Sequence, residues 1–73
     1  MDRINQLKQD YYMDIMALRD EFKLAADQLR EDYKNNKITK EYISREMTQL
    51  KYSFKMQSLI YQDRLEREIN YLQ

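Results

Sequence analysis

The sequence predicts an all-α protein, an elongated antiparallel hairpin of two helices. Three observations favour this fold: an eleven-residue repeat of apolar residues, a short polar segment at mid-chain, and the absence of Gly and Pro from all 73 residues. The tight turns of β-rich domains depend on Gly and Pro, so their absence disfavours such a fold. Without Cys or His, the chain also lacks a disulfide framework, a zinc site of the usual ligands and a nucleophile–imidazole pair.

An apolar stripe recurs every eleven residues in the first half of the chain. Blocks that begin at Ile4, Ile15 and Ala26 carry Leu at their fourth position and Tyr or Phe at their eighth. Eleven residues in three turns is about 3.67 residues per turn, close to a relaxed α-helix, so the stripe stays on one face. This is the pattern of a hendecad coiled coil, and the second half repeats it in another phase, as in Phe54 and Leu65.

The polar segment between the halves has the residues of a helix–turn–helix connection. Asn35 or Asn36 can end the first helix, because Asn tolerates left-handed backbone where Gly is absent. Thr39 is a suitable N-cap for the second helix, and Ile38 and Ile43 occupy hydrophobic-staple positions. We therefore expect one domain over residues 1–73, with helix one at about 2–35, the turn at about 35–39 and helix two at about 40–72.

The two halves are mirror-matched across this turn. Facing residues of an antiparallel hairpin have numbers with a constant sum, and here nine pairs share the sum 76. These pairs, which we call the seam, are Ile4–Leu72, Leu7–Ile69, Tyr11–Leu65, Ile15–Tyr61, Leu18–Ser58, Phe22–Phe54, Ala26–Leu50, Leu29–Met47 and Tyr33–Ile43. Both small members, Ala26 and Ser58, face a leucine, as complementary packing requires. The alternative is one continuous helix in an intermolecular coiled coil, which the polar segment disfavours.

Charged residues are segregated, although 13 basic and 13 acidic residues balance. At about 98° per residue, cations of both helices fall on one side of the seam and carboxylates on the other. The predicted basic face consists of Lys8, Arg19, Lys23, Arg30, Lys34, Lys51 and Lys55. It is either a solvated face or a site for nucleic-acid phosphates, an acidic protein, or the acidic face of another copy. The balanced charge argues against strong polyanion binding.

The backs of both helices carry further apolar residues. On helix two they follow the i, i+4, i+7, i+8 spacing of a buried stripe. The predicted self-association or partner stripe consists of Tyr52, Met56, Leu59 and Ile60, with Met13 and Met16 on helix one. A contiguous exposed patch usually marks an interface, and a lone hairpin is marginally stable. We expect a homodimer that forms a four-helix bundle. The alternatives are scattered surface hydrophobes or an adaptable Met-rich partner surface.

Nothing in the sequence indicates catalysis. Adjacent carboxylates such as Asp20 and Glu21 point about 100° apart on a helix and do not converge on a ligand. We expect a cytoplasmic, non-enzymatic protein–protein interaction module with no cofactor, metal or membrane contact, acting as an adaptor, inhibitor or assembly factor. Its expected partners are itself and an unidentified protein; the alternative is a nucleic-acid-binding dimer that uses the basic face. The many Lys, Asn, Ile and Tyr are typical of an AT-rich genome, such as that of a phage or low-GC bacterium.

Overall fold

The computed structural model describes residues 2–73 as two long helices, α1 (Arg3–Lys34) and α2 (Lys40–Leu72), with no strand in that range. The helices pack side by side and antiparallel, and the Cα atoms extend over 53 × 18 × 7 Å. The radius of gyration is 16.7 Å, whereas a compact domain of this length would have about 11 Å. The predicted all-helical hairpin is confirmed, and it is a thin rod.

Asn36 turns the chain at the end of α1. It has a φ of 61°, in the left-handed region, and no other described residue has a positive φ. The Asn36 N–H donates to the Tyr33 carbonyl at 3.1 Å, and the Lys37 N–H donates to the Asp32 carbonyl at 2.8 Å. These two bonds form a Schellman motif, which satisfies carbonyls that the helix end would leave free. Of the two candidates, Asn36 therefore takes the role that Gly usually has.

Side-chain oxygens cap the first turn of each helix. Thr39 Oγ1 accepts a hydrogen bond from the Tyr42 N–H at 3.1 Å, which confirms the predicted N-cap of α2. Asp2 Oδ1 accepts from the Ile4 N–H at 3.0 Å, so Asp2 is the N-cap of α1 rather than its first residue. Glu41 adds a carboxylate to the first turn of α2, where the helix dipole is positive.

The seam pairs the helices in the predicted register. The Phe22 and Phe54 rings, which form the sixth pair, meet edge-to-face with centroids 5.7 Å apart and an interplanar angle of 77°. Such aromatic geometry is favourable beyond the area that it buries. Every seam residue is buried or half-buried except Tyr33 and Leu72, which lie at the two ends of the rod. The pairing therefore extends over the length of the hairpin and loosens at its last pairs.

The core of this rod is thin. Among residues 2–73 only Leu7 and Leu18 are buried, at 8% and 5% exposure, and they stand eleven residues apart on α1. The accessible surface is 6304 Å², whereas a compact 9.1 kDa protein would expose about 4,900 Å². The hairpin thus leaves about 1,400 Å² more surface in water than a compact monomer of its mass.

Ser58 places a polar side chain in the otherwise apolar seam. It is half-buried, and its Oγ is shielded from solvent without a hydrogen-bond partner. A buried hydroxyl that loses its water without gaining a partner costs about 1–3 kcal/mol. Ser58 is therefore small enough to face Leu18 across the seam, but its Oγ is left without a hydrogen-bond partner.

We predict that Leu18→Ala lowers the free energy of unfolding by about 2–3 kcal/mol, because it removes a buried side chain and leaves a cavity. Urea unfolding at one fixed protein concentration, followed by far-UV circular dichroism, measures the change. The matched control is Leu24→Ala, at a position 70% exposed, which should change stability by no more than about 0.5 kcal/mol. Equal effects at the two positions would contradict the seam as described.

We predict that Ser58→Ala raises the free energy of unfolding by about 1 kcal/mol, because it removes the unsatisfied hydroxyl and adds helix propensity. The control is Ser44→Ala at an exposed position of the same helix, where only the propensity gain of about 0.5 kcal/mol applies. The same urea titration compares them. A loss of stability at Ser58, or equal gains at both serines, would show that this hydroxyl carries no penalty.

Candidate protein-interaction surfaces

The apolar residues on the back of α2 form one exposed surface, which we call the α2 stripe. Its members are Tyr52, Met56, Leu59 and Ile60, and their exposed fractions lie between 41% and 64%. Phe54 lies in the seam, and Met56 follows it by two residues, which is a rotation of about 200° around the helix. The α2 stripe therefore points away from α1, on the opposite side of α2 from the seam.

The methionines predicted to join this stripe lie elsewhere. Met13 and Met16 are exposed residues of α1. Because Leu18 faces the seam, Met13 is about 140° from it around α1 and Met16 about 160°. The backs of the two helices are the two outer edges of the rod, so the structure separates Met13 and Met16 from the α2 stripe.

Four residues of the predicted basic face come together around one groove. Arg19, Lys23 and Arg30 of α1 lie across from Lys51 of α2, and the groove has a volume of about 440 Å³. We call it the basic groove. Lys8 lies apart, beside Gln9, Tyr12 and Met13 in a shallow depression of α1. Lys34 and Lys55 are exposed and do not line the basic groove.

The floor of the basic groove is apolar. It consists of Phe22, Ala26, Met47, Leu50 and Phe54, all of them seam residues that remain half-exposed. The seam pattern predicts these residues as core and does not indicate a groove over them. Ala26 is the residue that could have indicated the groove. Its short side chain lies opposite Leu50 and covers less of the seam than a larger side chain would. The pairing of a small residue with a leucine fills the space between the helices but leaves solvent access at the side of the seam.

Three of the four cations of the basic groove form no ion pair with any residue that the structure describes. Within residues 2–73 the ion pairs are Arg30–Asp27 and Arg67–Asp63, each with a nitrogen–oxygen distance of 3.0 Å. Both are exposed pairs within one helix, which contribute little to stability. Arg19, Lys23 and Lys51 thus stand at the edge of an apolar floor, and none of them forms an ion pair within 4.0 Å.

A second groove on the other side of the seam carries carboxylates. Asp10 and Asp14 of α1 lie near Glu68 of α2, and Arg3 and Arg64 lie among them. Its floor consists of the seam residues Leu7, Tyr11, Tyr61 and Leu65, and its volume is about 250 Å³. The two sides of the rod therefore differ in charge as the sequence predicts, although the two arginines make this acidic groove a mixed surface.

Other kinds of site find no support in the described residues. Residues 2–73 contain no group of three or more carboxylates placed to hold a metal ion. Neither helix in this range combines the length and hydropathy that crossing a membrane requires. Comparison of the chain with protein-family models, curated proteins and solved structures finds no match.

Proposed function

We propose that this chain is a non-enzymatic protein–protein interaction module that works as a homodimer, joined through the α2 stripe. The observation that carries the proposal is the stripe itself: four large apolar side chains, exposed together on the side of α2 that faces away from the seam. A contiguous apolar patch on a soluble protein usually marks an interface. In this role the protein would act as an adaptor, an inhibitor or an assembly factor.

The excess surface of the hairpin supports self-association. Each helix has one neighbour, so its remaining sides face water. The excess of about 1,400 Å² per chain over a compact monomer is large beside the roughly 800 Å² that one partner buries in a standard interface. A second copy would supply the missing neighbour for α2.

The position of Met56 favours a two-fold symmetric contact. Met56 is the middle residue of α2, which runs from Lys40 to Leu72. A two-fold axis through Met56 would place α2 of the second copy antiparallel and in full overlap. Tyr52 and Ile60, four residues to either side, would then face each other across the axis. The α2 stripe thus lies at the middle of α2, the helix through which the two copies would be joined.

The resulting assembly would be a four-helix layer. The α2 stripe and the seam lie on opposite sides of α2, so two joined hairpins place their helices in the order α1, α2, α2, α1. A square bundle would need the two contact faces of α2 to be about 90° apart. In the layer the basic and acidic grooves stay open on the two broad sides.

We predict that Met56→Asp converts the dimer into a monomer, because a carboxylate buried at the two-fold axis without a partner costs several kcal/mol. Sedimentation equilibrium at high salt, where contacts between charged surfaces are screened, should give twice the chain mass of 9.1 kDa for the wild type and a single mass for the variant.

The matched control is Met13→Asp, which makes the same change on an exposed Met of α1 and should leave the dimer intact. A wild-type monomer, or a Met56→Asp protein with the wild-type mass, would rule out the dimer. Helical circular dichroism of both variants shows that folding is retained.

A second candidate function is nucleic-acid binding through the basic groove, and the uncompensated Arg19, Lys23 and Lys51 favour it. Lys and Arg side chains bind nucleic-acid phosphates with an affinity that depends strongly on salt and does not depend on the nucleotide sequence. The apolar floor and the zero net charge do not add to such binding, which is why this function ranks second.

For this second function we predict a low-salt gel shift with a 20-nucleotide RNA and with duplex DNA, abolished by Arg19→Glu plus Lys23→Glu. The control, Arg3→Glu plus Arg64→Glu, makes the same change in net charge at the acidic groove and should keep the shift. Absence of any shift at low salt excludes the nucleic-acid function.

A further inference from the structure

The basic groove has the chemistry of a site for an amphipathic, acidic surface. Its floor is apolar over five side chains, and its rim carries four cations, of which only Arg30 has a carboxylate within ion-pair distance. A phosphate backbone would use the rim and leave the floor wet. An apolar side chain flanked by carboxylates would use both, since it covers the floor and places its charges at the rim.

The outer edge of α1 presents such a surface. We call it the α1 outer face, and its residues are Met13, Ala17, Asp20, Leu24, Asp27 and Glu31. Successive residues rotate by about 100°, which places these six within a single arc that points away from the seam. Between Gln9 and Glu31 no Lys or Arg falls on this arc. Met13 and Leu24 are each 70% exposed, so the face is open in the hairpin and also in a dimer joined through α2.

The two surfaces match in spacing. Arg19 and Arg30 stand eleven residues apart on the rim of the basic groove, and Asp20 and Glu31 stand eleven residues apart on the α1 outer face. Eleven helical residues span about 16.5 Å. Two cation–carboxylate pairs can therefore form at once, whether the docked helix runs parallel or antiparallel. Arg30 would exchange its exposed pair with Asp27 for the incoming carboxylate, and such exposed pairs contribute little. Leu24 lies four residues from Asp20, and Ala26 lies four residues from Arg30. In the antiparallel arrangement, Leu24 would therefore meet the groove floor at Ala26.

We propose that the basic groove binds the α1 outer face of a second copy of this chain. The contact joins two different surfaces, so each molecule keeps a free groove and a free face, and the association propagates instead of closing at a pair. The proposal rests on the proposed function only in that the partner is the same chain, since the α2 stripe takes no part in it. The two contacts together would link dimers into larger assemblies.

The test uses three variants of the full chain and sedimentation velocity over a range of protein concentrations at low salt. A groove variant carries Arg19→Glu plus Arg30→Glu, and a face variant carries Asp20→Lys plus Glu31→Lys, so that each reverses one side of both matched pairs. A swap variant carries all four changes and has the wild-type net charge of zero. Far-UV circular dichroism confirms that each one is helical.

We expect the wild type to form species larger than a dimer at low salt, and we expect high salt to dissociate them. The groove variant and the face variant should each weaken this association at least tenfold, because like charges then meet. The swap variant should regain it, because both members of each matched cation–carboxylate pair are then reversed together. A variant that had simply lost its fold would not be rescued by two further charge reversals.

Arg3→Glu plus Arg64→Glu is the control for net charge, because it makes the same charge change as the groove variant at another site and should retain the large species. Equal loss in this control, or no recovery in the swap variant, overturns the proposal. So does a wild type that stops at a dimer at every concentration. Capture of the 20-nucleotide RNA by the basic groove of such a protein would assign the groove to nucleic acid instead.

Met56→Asp separates this proposal from the proposed function. If only the dimer is correct, the wild type stops at twice the chain mass and Met56→Asp gives a monomer. If only the groove contact is correct, salt-sensitive species persist unchanged in Met56→Asp and vanish in the groove variant. Each proposal can therefore fail while the other stands.

Discussion

The rest of the structure depends on the apolar seam between two antiparallel helices of nearly equal length. Each helix alone would be wet on every side, and a helix in water gains most of its stability from packing an apolar face. The eleven-residue period keeps that face straight along about 50 Å of helix, so contact is maintained from the turn to the far end. The edge-to-face contact of Phe22 and Phe54 near the middle of the rod shows that the two helices pack in the predicted register.

A hairpin held by one seam has little interior and much surface. In the part of the chain that the structure describes, only Leu7 and Leu18 reach the burial of an ordinary core residue. The remaining seam residues are covered on one side and reach solvent through the grooves on either flank. The same geometry that makes the fold simple therefore leaves four surfaces available: two grooves of different charge, the apolar outer side of α2 and the α1 outer face.

The eleven-residue period also organises the charges. Residues eleven apart lie on one line along the helix, so cations and carboxylates repeat at the same distance on separate faces. A net charge of zero consequently hides a molecule with distinct basic and acidic surfaces. Charge complementarity of this kind contributes more to the choice and orientation of a partner than to raw affinity. The apolar floor of the basic groove is what distinguishes it from a plain patch of lysines and arginines.

The sequence by itself determined the two helices, the turn and the register. Asn36 takes the left-handed conformation because Gly is absent, Thr39 caps α2 with its own hydroxyl, and the matched spacing of the halves pairs Phe22 with Phe54. These are local or periodic properties, set by backbone preferences and by the helical repeat. The side of each helix that carries each charge follows from the same repeat.

Only the tertiary structure decided how deeply the seam is buried and what remains open beside it. The groove over Ala26 and the unsatisfied Oγ of Ser58 depend on side chains of both helices at once. A sequence pattern states which residues face each other, but the space above them depends on how closely the helices approach and how far each side chain reaches. That distance is a property of the packed pair, and neither helix specifies it alone.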